Sequence, residues 1–286
     1  MEENYQYRPL LLHIAYNMLG SMASAEDVVQ EVLVDFLDRD HSQIKSPKSY
    51  LARMVSNRSI DLLRQLQRER AHYTGPWLPE PVIEPAWEPE QQTFSLAVLH
   101  LMERLSPTER AVYVLRECFD WDYDTIGDLV QKRSANCRQL LKRAKEKLQQ
   151  AHHIQAIKPS QMQLLSQAFI SASQEANFEP LKELFAADIN MLSDGGGKVI
   201  AALKPIQGPE HCIRFLQGIQ KQLSTELRWE VKIIQGDWTL LIWEGQKLRS
   251  ALLLVWKSGQ IFRLFSYLNP DKLTRLQRQI QSVQSE

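Results

Sequence analysis

Two all-α units followed by an α+β unit is the architecture this sequence predicts, and three observations carry it. Up to about residue 150, apolar residues recur at three- and four-residue spacing between recognisable capping residues. The stretch 73–91, YTGPWLPEPVIEPAWEPEQ, interrupts this pattern with five prolines, two tryptophans, four glutamates and no basic residue. Late in the chain the period changes to two, in four runs separated by glycine-containing turns.

In the first unit, 1–72, YRPLLLHIAYNMLG reads as a helix stopped at Gly20. SMASAEDVVQEVLVDFLDRD restarts with Ser24 as expected N-cap and Glu26 and Asp27 in the first turn. Val28, Val29, Val32, Leu33, Phe36 and Leu37 form its expected buried stripe. SPKSYLARMVSNRSIDLLRQLQRER opens a long helix at Ser46-Pro47. Its apolar set is Leu51, Met54, Val55, Ile60, Leu62, Leu63 and Leu66. The proline-rich linker runs 73–92. In the second unit, 93–153, Ser106-Pro107-Thr108-Glu109 signals a capping box. DYDTIGDLV and SANCRQLLKRAKEKLQQ then give a short helix, a tight connection and a basic helix, the helix-turn-helix plan.

The third unit, 158–286, begins with helices near 160–176 and 178–187. Two strand-like runs follow within INMLSDGGGKVIAALKPI, on either side of the glycines, and then a helix in GPEHCIRFLQGIQKQL. ELRWEVKIIQ, WTLLIWE, LRSALLLVW and IFRLFSYL form an antiparallel meander with turns at Gly236-Asp237, Glu244-Gly245 and Ser258-Gly259. This order predicts a curved sheet with helices on one face. NPDKLTRLQRQIQSVQSE closes the chain as a helix fraying into a polar tail.

Composition narrows the function classes. Hydrophobic content of 44% and charged content of 24% are those of a globular protein. No apolar run has the length of a membrane span, and the start lacks the layout of a signal peptide. Three separated cysteines, Cys118, Cys137 and Cys212, point to a reducing cytoplasm and argue against a disulfide framework or a zinc site. The formal net charge of +0 conceals a strong pattern. Residues 1–40 carry 2 basic and 8 acidic residues, whereas 41–72 carry 7 and 2; 93–130 carry 3 and 7, whereas 131–150 carry 7 and 1. Two basic blocks, each at the end of a helical pattern, are the footprint of a polyanion.

On the long helix, Arg53, Arg58 and Arg64 suit phosphates, and Asn57 and Asp61 can donate to and accept from an unpaired base edge. On or beside the second basic helix lie Ser134, Asn136, Arg138, Gln139, Lys142 and Arg143. Arg138 and Gln139 could reach bases, while Lys142, Arg143 and Lys145 suit phosphates. The stretches AEDVVQEVLVDFL, SPKSYLARMVSNRSIDLLR and LSPTERAVYVLRE, YDTIGDLV, CRQLLKRAKEKL resemble, as a set and in order, group 4 (extracytoplasmic-function) RNA polymerase sigma factors. The resemblance implies that Asp27, Gln30, Glu31 and Asp35 contact the polymerase β′ clamp, with the β flap as a further partner. It implies single-stranded −10 capture by Arg53, Asn57, Arg58, Asp61 and Arg64, and duplex −35 reading by the second basic helix. Two positions depart from the family pattern: Gln131 where a turn glycine is common, and Cys137 where an aliphatic residue packs. Cys137 reads as a small core residue.

The third unit resembles SnoaL-like members of the NTF2-like fold, a cone of curved sheet and helices around a pocket. Sigma factors with such a fused domain share WLPEP, DGGGK and NPDKL. All are present, as Trp77, Leu78, Pro79, Glu80 and Pro81; Asp194, Gly195, Gly196, Gly197 and Lys198; and Asn269, Pro270 and Asp271 with the two residues that follow. The resemblance implies regulation in cis, in place of a separate anti-sigma factor and without catalysis; no membrane partner, cofactor or metal is expected. The glycines suit close approach of another surface, and Trp77 is expected to dock near Asp194–Lys198 when polymerase is absent. Extended at about 3.1 Å per residue, the linker spans roughly 60 Å, more than one duplex turn of about 34 Å. The competing reading is an NTF2-like enzyme or ligand sensor with a DNA-binding module, for which His211 and Asp194 are the available bases. An ordinary helix-turn-helix repressor is a third reading, but it leaves the pattern around Asn57 unexplained.

Overall fold

The computed structural model describes residues 6–38, 44–83, 94–148, 159–222 and 227–283. The second half of the linker, 84–92, therefore lies outside the described residues, as does the polar tail after residue 283. The chain forms two compact units. One takes the residues up to His72 and the helices that follow the linker, and the other takes Tyr73–Ile83 with the C-terminal part.

In the first unit, α1 (Arg8–Leu19) ends at Gly20, whose positive φ of 69° lets its N–H reach the Tyr16 carbonyl at 2.7 Å. Leu11, Ile14, Tyr16, Met18 and Leu19 are fully buried, each stabilising the bundle by about 1.5–3 kcal/mol on the usual burial scale. α2 (Met22–Leu37) starts three residues earlier than expected. Ser21, not Ser24, is its N-cap and accepts from the Ser24 N–H, which moves Glu26 and Asp27 out of the first turn. Val28, Val29, Val32 and Phe36 are buried as the spacing predicts, but Leu37 is exposed at the helix end. α3 (Pro47–Arg70) starts as predicted, with Ser46 capping and Pro47 at the first position. α1, α2 and α3 pack on one another.

α4 (Leu96–Leu101) leads through one 3₁₀ turn to α5 (Pro107–Glu117). Ser106 and Glu109 form the expected reciprocal capping box. α6 (Tyr123–Val130) and α7 (Ser134–Lys147) form the helix-turn-helix, with Asp122 capping α6. Gln131 adopts the left-handed conformation, φ 55°, that the turn requires, so the family's glycine position is filled here under mild strain. A Cβ on Gly127 would lie 2.6 Å from the Lys132 carbonyl, so the turn closes only over a glycine. Cys137 is fully buried between the helices, and burial pushes its thiol pKa up.

In the second unit α8 (Pro159–Gln174) and α9 (Glu179–Glu183) precede β1 (Phe185–Asp194). The short helix ends sooner than expected because the chain has already entered the sheet at Phe185. After the glycine turn the chain next joins the sheet as β2 (Ile206–Gln207), antiparallel to β1; residues 198–205, read as strand-like, make no strand. α10 (Pro209–Gln222) then precedes the meander β3 (Leu227–Ile234), β4 (Asp237–Glu244), β5 (Lys247–Lys257) and β6 (Gln260–Tyr267), closed by α11 (Pro270–Val283). The strands form a six-stranded sheet in the order β2-β1-β6-β5-β4-β3, with β1 and β6 parallel and the meander antiparallel as predicted.

Two of the three meander turns are displaced by one residue, the first earlier and the second later than expected, while Ser258-Gly259 forms the third as predicted. Ile234 pairs with Asp237 and Glu244 with Lys247, leaving Gln235-Gly236 and Gly245-Gln246 as the two-residue loops. Two expectations are corrected at the level of layers. The sheet is open, with β2 and β3 as edges, and does not close into a cone. Its helices are not confined to one face. Leu252, Leu254 and Trp256 of β5 join the core with α8, α9 and α10. Ala251, Leu253 and Val255 alternate to the opposite side and are equally buried, and α11 packs on β5 through a face that buries Leu273, Leu276 and Ile280.

Candidate nucleic-acid interface and linker clamp

α3 presents Arg53, Asn57, Arg58, Asp61 and Arg64 at the surface, all exposed, while Leu51, Val55, Ser59 and Leu63 are buried. The 3.6-residue period thus separates a core stripe from a polar stripe along one 24-residue helix. Three of the polar residues are engaged: Arg58 pairs with Glu31 of α2 at 2.7 Å, and Arg64 pairs with Asp61 at 2.7 Å. Asp27, Gln30, Glu31 and Asp35 are likewise exposed on α2. The Arg58–Glu31 pair therefore joins a residue of the expected −10 face to one of the expected polymerase face.

On α7, Asn136, Arg138, Gln139, Lys142 and Arg143 are exposed. Ser134 is half-buried at the start of α7, and its hydroxyl donates to the Asp124 carboxylate across the turn, leaving the oxygen as an acceptor. The Arg138 guanidinium lies 4.9 Å from the centre of the Tyr123 ring, and Arg116 lies 5.2 Å from the same ring. The far end of α7 is tied to α5 by Lys147 and Glu109 at 2.7 Å. Burial opposes the charge of Glu109, but Lys147 and the Ser106 N–H outweigh it, and its pKa is held below the usual carboxylate value.

A buried ionic cluster links the two helical parts of this unit. Glu103 accepts from Arg70 at the end of α3 and from Arg110 on α5, each at 2.5 Å. Arg110 also donates to the Asn17 carbonyl, and Arg70 to the Leu19 carbonyl, both in the last turn of α1. Two guanidiniums thus neutralise one carboxylate and satisfy helix-end carbonyls that lack intrahelical partners. Burial penalises the Glu103 charge, but Arg110 and Arg70 outweigh it, so its pKa is depressed. This cluster was not evident from sequence: three charged residues spaced 33 and 7 positions apart carry no local signature.

In the second unit the three short motifs converge on Asp194, which is fully buried at the end of β1. Its carboxylate accepts from the Tyr73 hydroxyl at 2.7 Å, the Leu78 N–H at 3.0 Å, the Gly196 N–H at 3.1 Å and the Lys272 ammonium at 2.7 Å. Lys272 also donates to the Leu78 carbonyl and lies 4.5 Å from the centre of the Trp77 ring. Asn269 donates to the Tyr73 oxygen at 3.1 Å and accepts from the Asp271 N–H at 3.0 Å, while Asp271 pairs with Lys198 at 2.6 Å. Burial, with the Asp194 carboxylate beside it, raises the Tyr73 pKa.

The glycines do what close approach demands. A Cβ on Gly196 would lie 2.5 Å from the Asn269 amide, and one on Gly197 would lie 3.2 Å from the Thr74 hydroxyl, with both residues at positive φ. Leu78, Pro79, Glu80 and Pro81 are buried, and Glu80 pairs with Arg275 at 2.9 Å. Further on, the Val82 and Ile83 N–H groups donate to Gln235 and Gln279. The expected neighbourhood for Trp77 is therefore reached through Lys272. In the sequence Lys272 is legible only as the lysine of NPDKL, with no role of its own, and Tyr73, four positions before Trp77, belongs to none of the three motifs.

The residues of the competing enzyme reading do not assemble. Asp194 is consumed by the clamp, and His211 is exposed with its Nδ1 3.0 Å from the Gln207 carbonyl. The unit does contain an apolar cavity of about 10 Å³, the scale of a single water, lined by residues including Phe169, Phe178, Leu216, Trp229 and Ile242. Neither His211 nor Asp194 lines it, and its lining carries no titratable side chain. Among the described residues no three His, Cys, Asp or Glu side chains are grouped to hold a metal ion, and no helix is long and apolar enough to cross a membrane.

Comparison with known proteins matches the chain region by region. The Sigma-70 region 2 family matches residues 5–69, and the Sigma-70 region 4 family matches residues 95–148. The chain is 26% identical to the ECF RNA polymerase sigma factor SigJ of Mycobacterium tuberculosis, over 93% of this chain and 91% of that protein. It is 28% identical to the probable ECF RNA polymerase sigma factor SigI of the same organism, over 96% of this chain and 94% of that one. The crystal structure of M. tuberculosis SigJ superposes with a TM-score of 0.73 at 23% identity, covering 96% of this chain and 98% of that chain, so the similarity of fold extends through the C-terminal unit.

Proposed function

We infer the working of this chain from one premise: it belongs to the extracytoplasmic-function (group 4) RNA polymerase sigma factors, and as such directs core RNA polymerase through its regions 2 and 4. It is a transcription factor and not an enzyme. In our reading the exposed face of α3, with Asn57 at its centre, captures the single-stranded −10 element, and Arg53, Arg58, Asp61 and Arg64 surround it. A neutral amide can pair bidentately with an adenine edge, and unstacking that base costs a few kcal/mol. The α7 face, with Ser134, Asn136, Arg138, Gln139, Lys142 and Arg143, reads the −35 duplex. Asp27, Gln30, Glu31 and Asp35 dock on the β′ clamp, and the β flap is the second polymerase contact. All of this takes place in the cytoplasm, without a membrane anchor.

The C-terminal unit, an SnoaL-like variant with an open sheet, regulates in cis and takes the place of a separate anti-sigma factor. The observation that supports this is the Asp194–Lys272 clamp on Tyr73–Leu78. Half of the region 2 to region 4 linker is held by the C-terminal unit, so the spacing of the two DNA-binding regions depends on whether that hold persists. Two arrangements within a few kcal/mol of each other suffice for a switch. The test is transcription by core polymerase from a promoter library, with wild type, Asn57→Ala and Lys272→Met. Asn57→Ala should lose open-complex formation while still binding polymerase, and Lys272→Met should change promoter output without changing polymerase affinity. Wild-type output from Lys272→Met would remove the regulatory reading. Wild-type opening by Asn57→Ala would remove the −10 assignment.

A further inference from the structure

Tyr123 stands at the first position of α6, half-buried, and no part of the promoter-reading scheme assigns it a task. Two guanidiniums meet its ring. Arg116 reaches it from the end of α5 and is itself anchored: its Nη1 donates to the Trp121 carbonyl at 2.8 Å and pairs with Asp120 at 3.1 Å. Arg138 reaches it from the fifth residue of α7, within the N-terminal half of the helix, where side chains of a recognition helix meet base edges. Tyr123 is fixed in turn, because Asp122 caps α6 through the Asp124 and Thr125 N–H groups and Ser134 ties α7 to Asp124.

An exposed arginine samples many rotamers, and ordering such a side chain on DNA costs conformational entropy, so a surface that holds the guanidinium plane in advance improves discrimination. A tyrosine face does so without competing for the N–H donors, because the cation–π contact uses the flat face of the guanidinium and leaves its edge free for a guanine O6/N7 pair. Gln139 and Lys142 gain nothing of this kind from the ring, which makes Arg138 the preorganised reader on the helix.

We propose that Tyr123 is a specificity-positioning residue that holds Arg138 in the orientation for direct base readout in the −35 element, with Arg116 fixing the ring. The inference rests on the reading of α7 as the −35 helix. The test is polymerase-dependent transcription by the full-length protein from a library randomised across the −35 element, for wild type, Tyr123→Phe, Tyr123→Leu, Tyr123→Met, Arg138→Ala and the double variant Tyr123→Leu/Arg138→Ala. Arg138→Ala should flatten preference at one base pair. Tyr123→Leu and Tyr123→Met should weaken preference at that same base pair by about two- to fivefold, the scale of an exposed cation–π contact. Tyr123→Phe keeps the preference, and the double variant is no flatter than Arg138→Ala alone. A uniform loss of activity at all promoters in both Tyr123→Leu and Tyr123→Met, with preference intact, would mean a purely structural ring and overturn the proposal. Should Arg138→Ala retain the wild-type preference, the −35 assignment of Arg138 fails, and the positioning of Arg138 for readout falls with it.

Discussion

Asp194 concentrates the logic of the C-terminal unit in one side chain. A carboxylate without solvent contact must have its charge and lone pairs met from within, and here one cation and three neutral donors do so. Replacing it by alanine would leave the Lys272 ammonium facing a void. Breaking a buried pair in this way typically costs about 3–5 kcal/mol. Asp194→Ala should therefore raise amide exchange across Tyr73–Ile83 measured on the full-length protein, while exchange in α1–α3 stays at the wild-type level. Protection of 73–83 equal to wild type would show that the linker is held by its apolar contacts, with Leu78 and Val82 sufficient. The motif residues were legible as a set in the sequence, but their chemistry was not. Asp194 was legible as the first residue of DGGGK and Lys272 as the lysine of NPDKL, but nothing in their spacing pairs them. Only their meeting with Tyr73, across more than a hundred residues of chain, identifies them as anchor and counter-ion.

Among the elements, the helix-turn-helix was the easiest to foresee and the most exact in outcome. The capping box at Ser106–Glu109 and the acidic start of α6 are local signals, and local hydrogen bonds honour them. Glu109 has a second role that no local signal shows, as the partner of Lys147 at the last residue of α7. Its native carboxyl pKa is depressed, so near the ordinary carboxylate value the unfolded chain binds more protons than the folded one. The stabilisation is fully present above about pH 4.5 and is lost as pH falls through the depressed native value. Glu109→Gln should therefore be less stable than wild type in denaturant melts at pH 6–7, and the gap should narrow as the melts are repeated below pH 4. A constant gap across that range would assign the effect to packing instead. Ser21 and Ser24 are both competent caps, and the choice fell to Ser21 because the turn after Gly20 places it at the helix start. Residues 198–205 have strand-like composition, but the close packing of Gly196 and Gly197 on Asn269 and Thr74 leads the chain off the sheet edge.

For the whole molecule, the division into units differs from the division by sequence pattern. The linker begins where helical periodicity stops, yet Tyr73–Ile83 belongs physically to the C-terminal unit. Truncation after residue 205 would remove β6, the parallel neighbour of β1, and with it Asn269 and Lys272. The remaining β1 and α8 would lose their core partners, including Leu240, Leu254 and Trp256. Such a truncation should alter promoter output in a polymerase-dependent assay in the same direction as Lys272→Met, because both release the linker. Opposite directions would separate the C-terminal unit's influence from the clamp.

Periodicity, caps and charge blocks are properties of neighbours in the chain, and by themselves they determined the all-α lobes, the recognition helix, the antiparallel meander and the basic faces of α3 and α7. Tertiary structure decided what depends on residues far apart: the open sheet covered on both sides, the Arg70–Glu103–Arg110 cluster, and the capture of half the linker. The physical reason is that burial of a charge is settled by whichever distant group can neutralise it, and sequence spacing does not constrain that choice.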